Sequence, residues 1–155
     1  MSFRITGLDP APFQPLFHLP DEALRARGVK RVIADASGGF PDRIALRDAQ
    51  PGEALLLLNH EHQPADTPYR ASHAIYVLEG ETERYDAVDA VPELWRQRLL
   101  SVRAFDAKGW MRDADVVEGA AVEPVLERLL ANHKVAYLQV HYAKPGCYAA
   151  RVERA

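Results

Sequence analysis

Two hydrophobic periods run along the chain, and they divide it unequally. Apolar and polar residues alternate, as in half-buried strands, over Phe3 to Leu8, Lys30 to Ala36, Leu99 to Asp106, Trp110 to Glu118, Val135 to Tyr142 and Cys147 to Arg154. The helical period is sustained only once. Val122, Val125, Leu126, Leu129 and Leu130, with Pro124 near the start, predict one longer helix near 122–133. Two shorter helices are predicted from their ends: Asp21 as a cap with Gly28 as a left-handed stop after Arg27, and Pro92 in a first turn reaching about Arg98. Between these elements lie a Pro-rich stretch (Pro10, Pro12, Pro15, Pro20), a Ser37 to Asp42 loop, a brief strand from Arg43 to Arg47 and a Pro51-Gly52 turn.

The segment Glu53 to His62 changes character along its length. It begins apolar on both faces and ends in Asn59-His60-Glu61-His62, the pattern of a central strand emerging into a polar region. A polar loop, Gln63 to Ser72, leads to another strand, His73 to Glu79. The turns Ala107-Lys108-Gly109 and Ala143-Lys144-Pro145-Gly146 predict two hairpins, the second with Leu138, Val140 and Tyr142 facing the core. Strands outnumber helices and are mostly joined by hairpin-length loops. The expected class is therefore α+β: a single domain over 1–155, a largely antiparallel sheet, two or three short helices and the longer one.

Composition narrows the function. At 155 residues, 48% apolar and 26% charged, the chain buries a core and is not disordered. Cys147 is the one cysteine, which excludes an intrachain disulfide and a Cys-rich zinc site. Neither the start nor the longest aliphatic run, Ala54 to Leu58, suffices for a signal peptide or a spanning helix, so a cytoplasmic protein with no membrane partner is expected. Net charge is −3 and the basic residues are scattered singly, which disfavours nucleic acid. Of 19 basic residues 15 are Arg, a fork suited to carboxylate or phosphate, although genomic base composition produces the same bias.

Three groups of side chains are candidates for chemistry. Arg43, Tyr69 and Arg70 would make a clamp for an anion if folded together; an arginine equally serves to tie a loop to a carbonyl. His60 and His62 stand two apart on a strand and so share a face. A metal there needs a third ligand from Asp66, His73 or His141, and the expectation is that no metal or other cofactor is held. His141 and Cys147 flank the last turn and would face each other given a bulge at Gly146, as a nucleophile pair; otherwise Cys147 is a small buried apolar residue. Trp95 and Trp110 are expected in the core. Neither a nucleophile elbow nor a phosphate-binding glycine loop is present.

The phrases Arg43-Ile44-Ala45-Leu46-Arg47-Asp48-Ala49 with Pro51-Gly52-Glu53, Pro68-Tyr69-Arg70-Ala71-Ser72, and His141-Tyr142-Ala143 with Gly146-Cys147-Tyr148-Ala149-Ala150-Arg151 together resemble the bacterial family called domain of unknown function 1203. The resemblance implies a short single-domain architecture and shared polar positions, but no reaction. Asp42 stands where that family has a cysteine, and His73-Ala74 where it has Gly-Pro, which argues against chemistry that needs two thiols. His60-Glu61-His62 and Tyr76 to Glu81 also resemble pieces of the cupin metal motif, whose spacing fails because no Glu lies between His62 and Glu79. The favoured function is a small-molecule-binding domain, its pocket at the end of the Leu-rich strand lined by His60, Tyr69, Arg70, Arg43, His141 and Cys147 and suited to a small anionic ligand. The alternatives are a non-enzymatic interaction or structural module and a cupin-like metal-dependent enzyme.

Overall fold

A computed structural model describes residues 1–36 and 38–155; Ser37, in the predicted loop, lies outside the described residues. Among them the strands are β1 (Phe3–Thr6), β2 (Lys30–Ile33), β3 (Ala54–Gln63), β4 (Ala71–Leu78), β5 (Asp86–Val88), β6 (Leu99–Phe105), β7 (Met111–Glu118), β8 (Tyr137–Tyr142) and β9 (Cys147–Arg154), with helices α1 (Asp21–Ala26) and α2 (Val122–Leu130). Six strands form one sheet in the order β5-β1-β9-β8-β6-β7, and three form another, β2-β3-β4. All these strand pairs are antiparallel, as expected of an α+β chain built from hairpins.

The larger sheet has a different neighbour on each face. Leu126, Leu129 and Leu130 of α2 pack on Leu100, Val102 and Ala104 of β6 and Leu138 and Val140 of β8. Each such leucine, fully buried, is worth about 1.5–3 kcal/mol. The opposite face carries Gln139 and His141, which meet His62 of the smaller sheet. With both faces covered, β8 is buried at every residue. The smaller sheet turns Leu56, Leu58, Ile75 and Val77 toward Phe13, Leu24 and Val29 of the N-terminal segment.

Several elements differ from the periodicity. Arg43 to Arg47 is a turn, because Asp42 accepts from Ala45 N (2.5 Å) and Leu46 takes a positive φ of 53°, which no strand tolerates. The acidic connection Glu79 to Glu93 contains β5, which pairs with β1 and ties Asp86 to Arg4 (2.6 Å). The helix after Pro92 contracts to one 3-10 turn, Glu93–Trp95, and α2 stops at Leu130. Asp21 lies within α1 instead of capping it and pairs with Arg31. Trp95 is fully buried, but Trp110 is 44% exposed, which corrects its expected place in the core. Among the described residues no helix is long and apolar enough to cross a membrane.

Candidate functional site

The candidate site grows out of a gradient along one face of β3 and β4. Paired across these strands are Leu56 with Val77, Leu58 with Ile75, and then His60 with His73. A register shift between Glu61 and Gln63 follows, at the position of His62. At the aliphatic end this face is covered by the N-terminal segment; at the imidazole end it is covered by β8 and β9 of the other sheet. His62 stacks on Tyr148 (5.2 Å between ring centroids) and on His73 (4.7 Å), and meets His141 edge-on at 4.9 Å.

One ring nitrogen from each of His62, His73 and His141 lies within 4.8 Å of the others. Gln139 orders this cluster. Its Nε2 donates to the His62 carbonyl (2.9 Å), which can only accept, so the amide orientation is settled and Oε1 must face His62 Nδ1 at 2.7 Å as an acceptor. His62 Nδ1 therefore holds the proton and Nε2 is a bare lone pair. That Nε2 and His73 Nδ1 are both buried without a partner. His141 has only long contacts, 3.4 Å from Nδ1 to Gly146 O and 3.3 Å from Nε2 to Gln139 Oε1. Burial lowers all three rings from the ordinary histidine range: His62 to about 4 and His141 to about 2, the latter helped by the Arg103 charge. His73 is lowered by burial and then by Arg103 and Arg43. All three are neutral imidazoles near pH 7.

Beside the cluster, and sharing His73 with it, is a cavity of about 480 Å³ between the 38–43 segment, β4 and the β8–β9 turn. Its walls include Arg43, Arg98, Lys144, Tyr142 and Cys147, and no carboxylate residue among the described lining. Arg43 is 1% exposed. It donates from Nε to Tyr148 O (2.8 Å), from Nη1 to Pro41 O (2.6 Å) and from Nη2 to Cys147 Sγ (2.9 Å), and among the described residues it meets no carboxylate. Arg98 does have an acid partner, Asp48 at 2.7 Å. Both guanidiniums lie over the Tyr142 ring, Arg43 Cζ at 5.1 Å and Arg98 Cζ at 5.3 Å, and burial pushes its phenol up to about 12, so it stays protonated.

The residues expected to act together are only partly brought together. Arg43 and Cys147 share the cavity wall. His60 shares the face of His62, as strand alternation requires, but packs against Phe13 and Tyr148 outside the three-nitrogen group. The bulge expected at Gly146 falls further along the hairpin: Cys147 pairs with Tyr142, His141 with Tyr148, and Val140 with Ala150, so Ala149 is the extra residue. Cys147 and His141 consequently take opposite faces. Among the described residues no hydrogen bond joins them, and the thiol's partner is Arg43. Nor is Cys147 sealed in the core; it is partly exposed at the cavity.

Tyr69 and Arg70 are not at the cavity. Their loop docks on the β6–β7 turn, where Thr67 Oγ1 donates to Gly109 O (3.2 Å) and the Tyr69 ring lies 6.0 Å from Trp110 and 6.2 Å from Phe105. Arg70 is exposed and donates to Pro64 O at 3.2 Å, which is a loop tie. Arg70→Ala should therefore change stability by no more than about 0.5 kcal/mol in a urea melt. Sequence reasoning missed Gln139, Arg98, Arg103 and Lys144. The available signals were a second polar residue, Gln139, alternating with His141 in the mostly apolar β8, and a lysine in a tight turn beside the cysteine.

Arg43, the His141-Tyr142 pair and Cys147 are contributed by phrases that lie in one family region. Residues 39–154 match the family described as protein of unknown function (DUF1203), and the chain belongs to it. No curated protein and no solved structure matches the chain.

Proposed function

We propose that this protein binds a small carboxylate- or phosphate-bearing molecule in the cavity between its two sheets. The observation that supports this reading is Arg43: a buried cation with no acid partner among the described residues, in a wall without carboxylates. A buried charge left unpaired is costly, and stabilisation by an anionic occupant is the ordinary remedy. A volume of about 480 Å³ is in the range of metabolite sites. Arg43 supplies fixed donors, its planar fork already oriented by two backbone carbonyls; Lys144, exposed and with no ion pair among the described residues, supplies a mobile charge at the mouth. Tyr142 adds a flat aromatic wall.

The probes are inorganic phosphate and succinate, added at millimolar concentration to the intact protein. A ligand of the folded state raises stability by about 2.7 kcal/mol at a hundred times its Kd, so the melting temperature should climb with concentration for at least one of them. Lys144→Glu should weaken that anion at least about tenfold while the melt of the free protein barely moves. Bound anion should also slow alkylation of Cys147 by iodoacetamide, because the thiol lies against Arg43 Nη2. No shift with either anion, or an equal shift in Lys144→Glu, would sink the reading.

A further inference from the structure

We propose that His62, His73 and His141 form a binding site for one divalent late first-row transition ion of the zinc type, with a fourth position taken by hydroxide or another anion. The inference stands on the histidine cluster and holds whether or not the neighbouring cavity takes an anion.

The ligand set is drawn from three strands of two sheets, β3, β4 and β8, so the fold and not a local sequence motif assembles it. On two of these rings a nitrogen, His62 Nε2 and His73 Nδ1, is buried without any partner. The Gln139 amide leaves the first of these as a lone pair directed at nothing in the protein. Buried polar atoms are nearly always satisfied, and two orphans on adjoining rings within 4.8 Å of a third imidazole share one economical solution, a common cation. Imidazole suits zinc, copper, nickel and iron, and three protein nitrogens with an open position are the usual arrangement of an accessible zinc site. Gln139 already fills the supporting role such sites require, accepting the remaining N–H of His62 and fixing its tautomer. Zinc–nitrogen bonds of about 2.0–2.1 Å place tetrahedral nitrogens about 3.4 Å apart, so binding draws the rings inward by about an ångström. No hydrogen bond among the three rings resists that movement.

The charge around the cluster decides the fourth ligand. Arg103 lies on the same face of the larger sheet, pairs in register with Gln139, and its one side-chain bond is a 3.4 Å contact to Ser101 Oγ. Among the described residues it has no acid partner, and neither has Arg43. A bare dication would be repelled by both guanidiniums. One carrying hydroxide, carboxylate or phosphate oxygen leaves a smaller net charge and gives the arginines a counter-ion. The site is thus distinct from the His60–His62 pair that the sequence offers: His60 is no ligand in it.

The test is calorimetric titration of the chelator-treated protein with Zn²⁺, and in parallel with Co²⁺ followed by its visible absorption. The expected result is one ion per chain at sub-micromolar affinity, with a tetrahedral cobalt spectrum. Affinity should fall at least about a hundredfold in His73→Ala and be unchanged in His60→Ala. His73 is the ligand to vary because it is partly exposed, whereas His141 is fully buried; His73→Gln, which retains a polar side chain, is the second variant, and circular dichroism confirms folding of both. Absence of stoichiometric binding, binding that survives both His73 variants, or loss of binding in His60→Ala would each overturn the proposal. Loss of phosphate or succinate binding at the cavity would not.

Discussion

Replacing Asp42 by alanine should cost about 3 kcal/mol at neutral pH and release Arg43 from its place in the cavity wall. Asp42 is fully buried, and its carboxylate accepts from two backbone donors, Ala45 N at 2.5 Å and Leu78 N at 2.8 Å. The first bond closes the turn that carries Arg43. The second fastens that turn to the end of β4. Alanine removes the partner of both N–H groups; the Leu78 one is buried and the Ala45 one partly so, and a buried orphan costs about 1–3 kcal/mol. The sign of the pH dependence follows from burial, which raises the Asp42 carboxyl above its ordinary value of 3.8 against the pull of those backbone bonds. A raised carboxyl binds its proton more tightly in the folded chain than in the unfolded one. Its contribution to stability is therefore fully present below pH 3.8 and declines as the pH rises through the folded value. The difference between wild type and Asp42→Ala should accordingly be larger near pH 4 than at pH 7 in paired urea melts. A loss below about 1 kcal/mol, or one that grows with pH, would show that something other than this carboxylate holds the turn.

What the sequence discloses about this protein follows the range of the forces involved. The hairpins β6–β7 and β8–β9 and helix α2 are set by alternation, turn residues and helical period, all of which act over a few neighbours, and they lie where those signals place them. The Arg43 to Arg47 segment has the composition of a strand, yet it bends because a single buried carboxylate caps it from within. Strand β5 is short and lies in an acidic connection, and it pairs because β1 offers an edge and Arg4 a counter-charge to Asp86. The candidate site is the least local feature. Arg43 and Cys147 touch across 104 residues, and His62 and Gln139 across 77. Alternation along β3 does show that His60 and His62 share a face, but it cannot show that a register shift at His62 turns that ring toward β8 while His60 packs on Phe13. Tyr69 and Arg70 look like part of an anion clamp because the loop's destination is not written in its composition. The structure supplies that destination, the β6–β7 turn.

Gly119→Ala should cost more than any other glycine-to-alanine change among the described residues, since its added Cβ makes the shortest approach to fixed backbone. A Cβ at that position would sit 1.6 Å from the Trp95 carbonyl oxygen, 2.5 Å from its carbon and 3.0 Å from Arg98 O. These neighbours are backbone, so no side chain can swing aside. Gly119 N donates to Arg98 O at 2.8 Å and Arg96 reaches Gly119 O at 3.2 Å, which means the glycine is stitched to the segment it would have to push away. That segment carries Trp95, wholly buried in the core, and Arg98, one of the cations at the cavity. Overpacking against fixed backbone commonly costs 1–3 kcal/mol and sometimes more; here about 3 kcal/mol or more is expected, together with weaker phosphate or succinate binding as Arg98 is displaced. Gly28→Ala is the fitting control. Gly28 has a φ of +71°, but nothing lies within 4 Å of its added Cβ, so only the left-handed backbone is penalised, by about 1–2 kcal/mol. If the two variants melt alike, the Gly119 contact is relieved by a small backbone shift, and Arg98 does not depend on it for its position at the cavity.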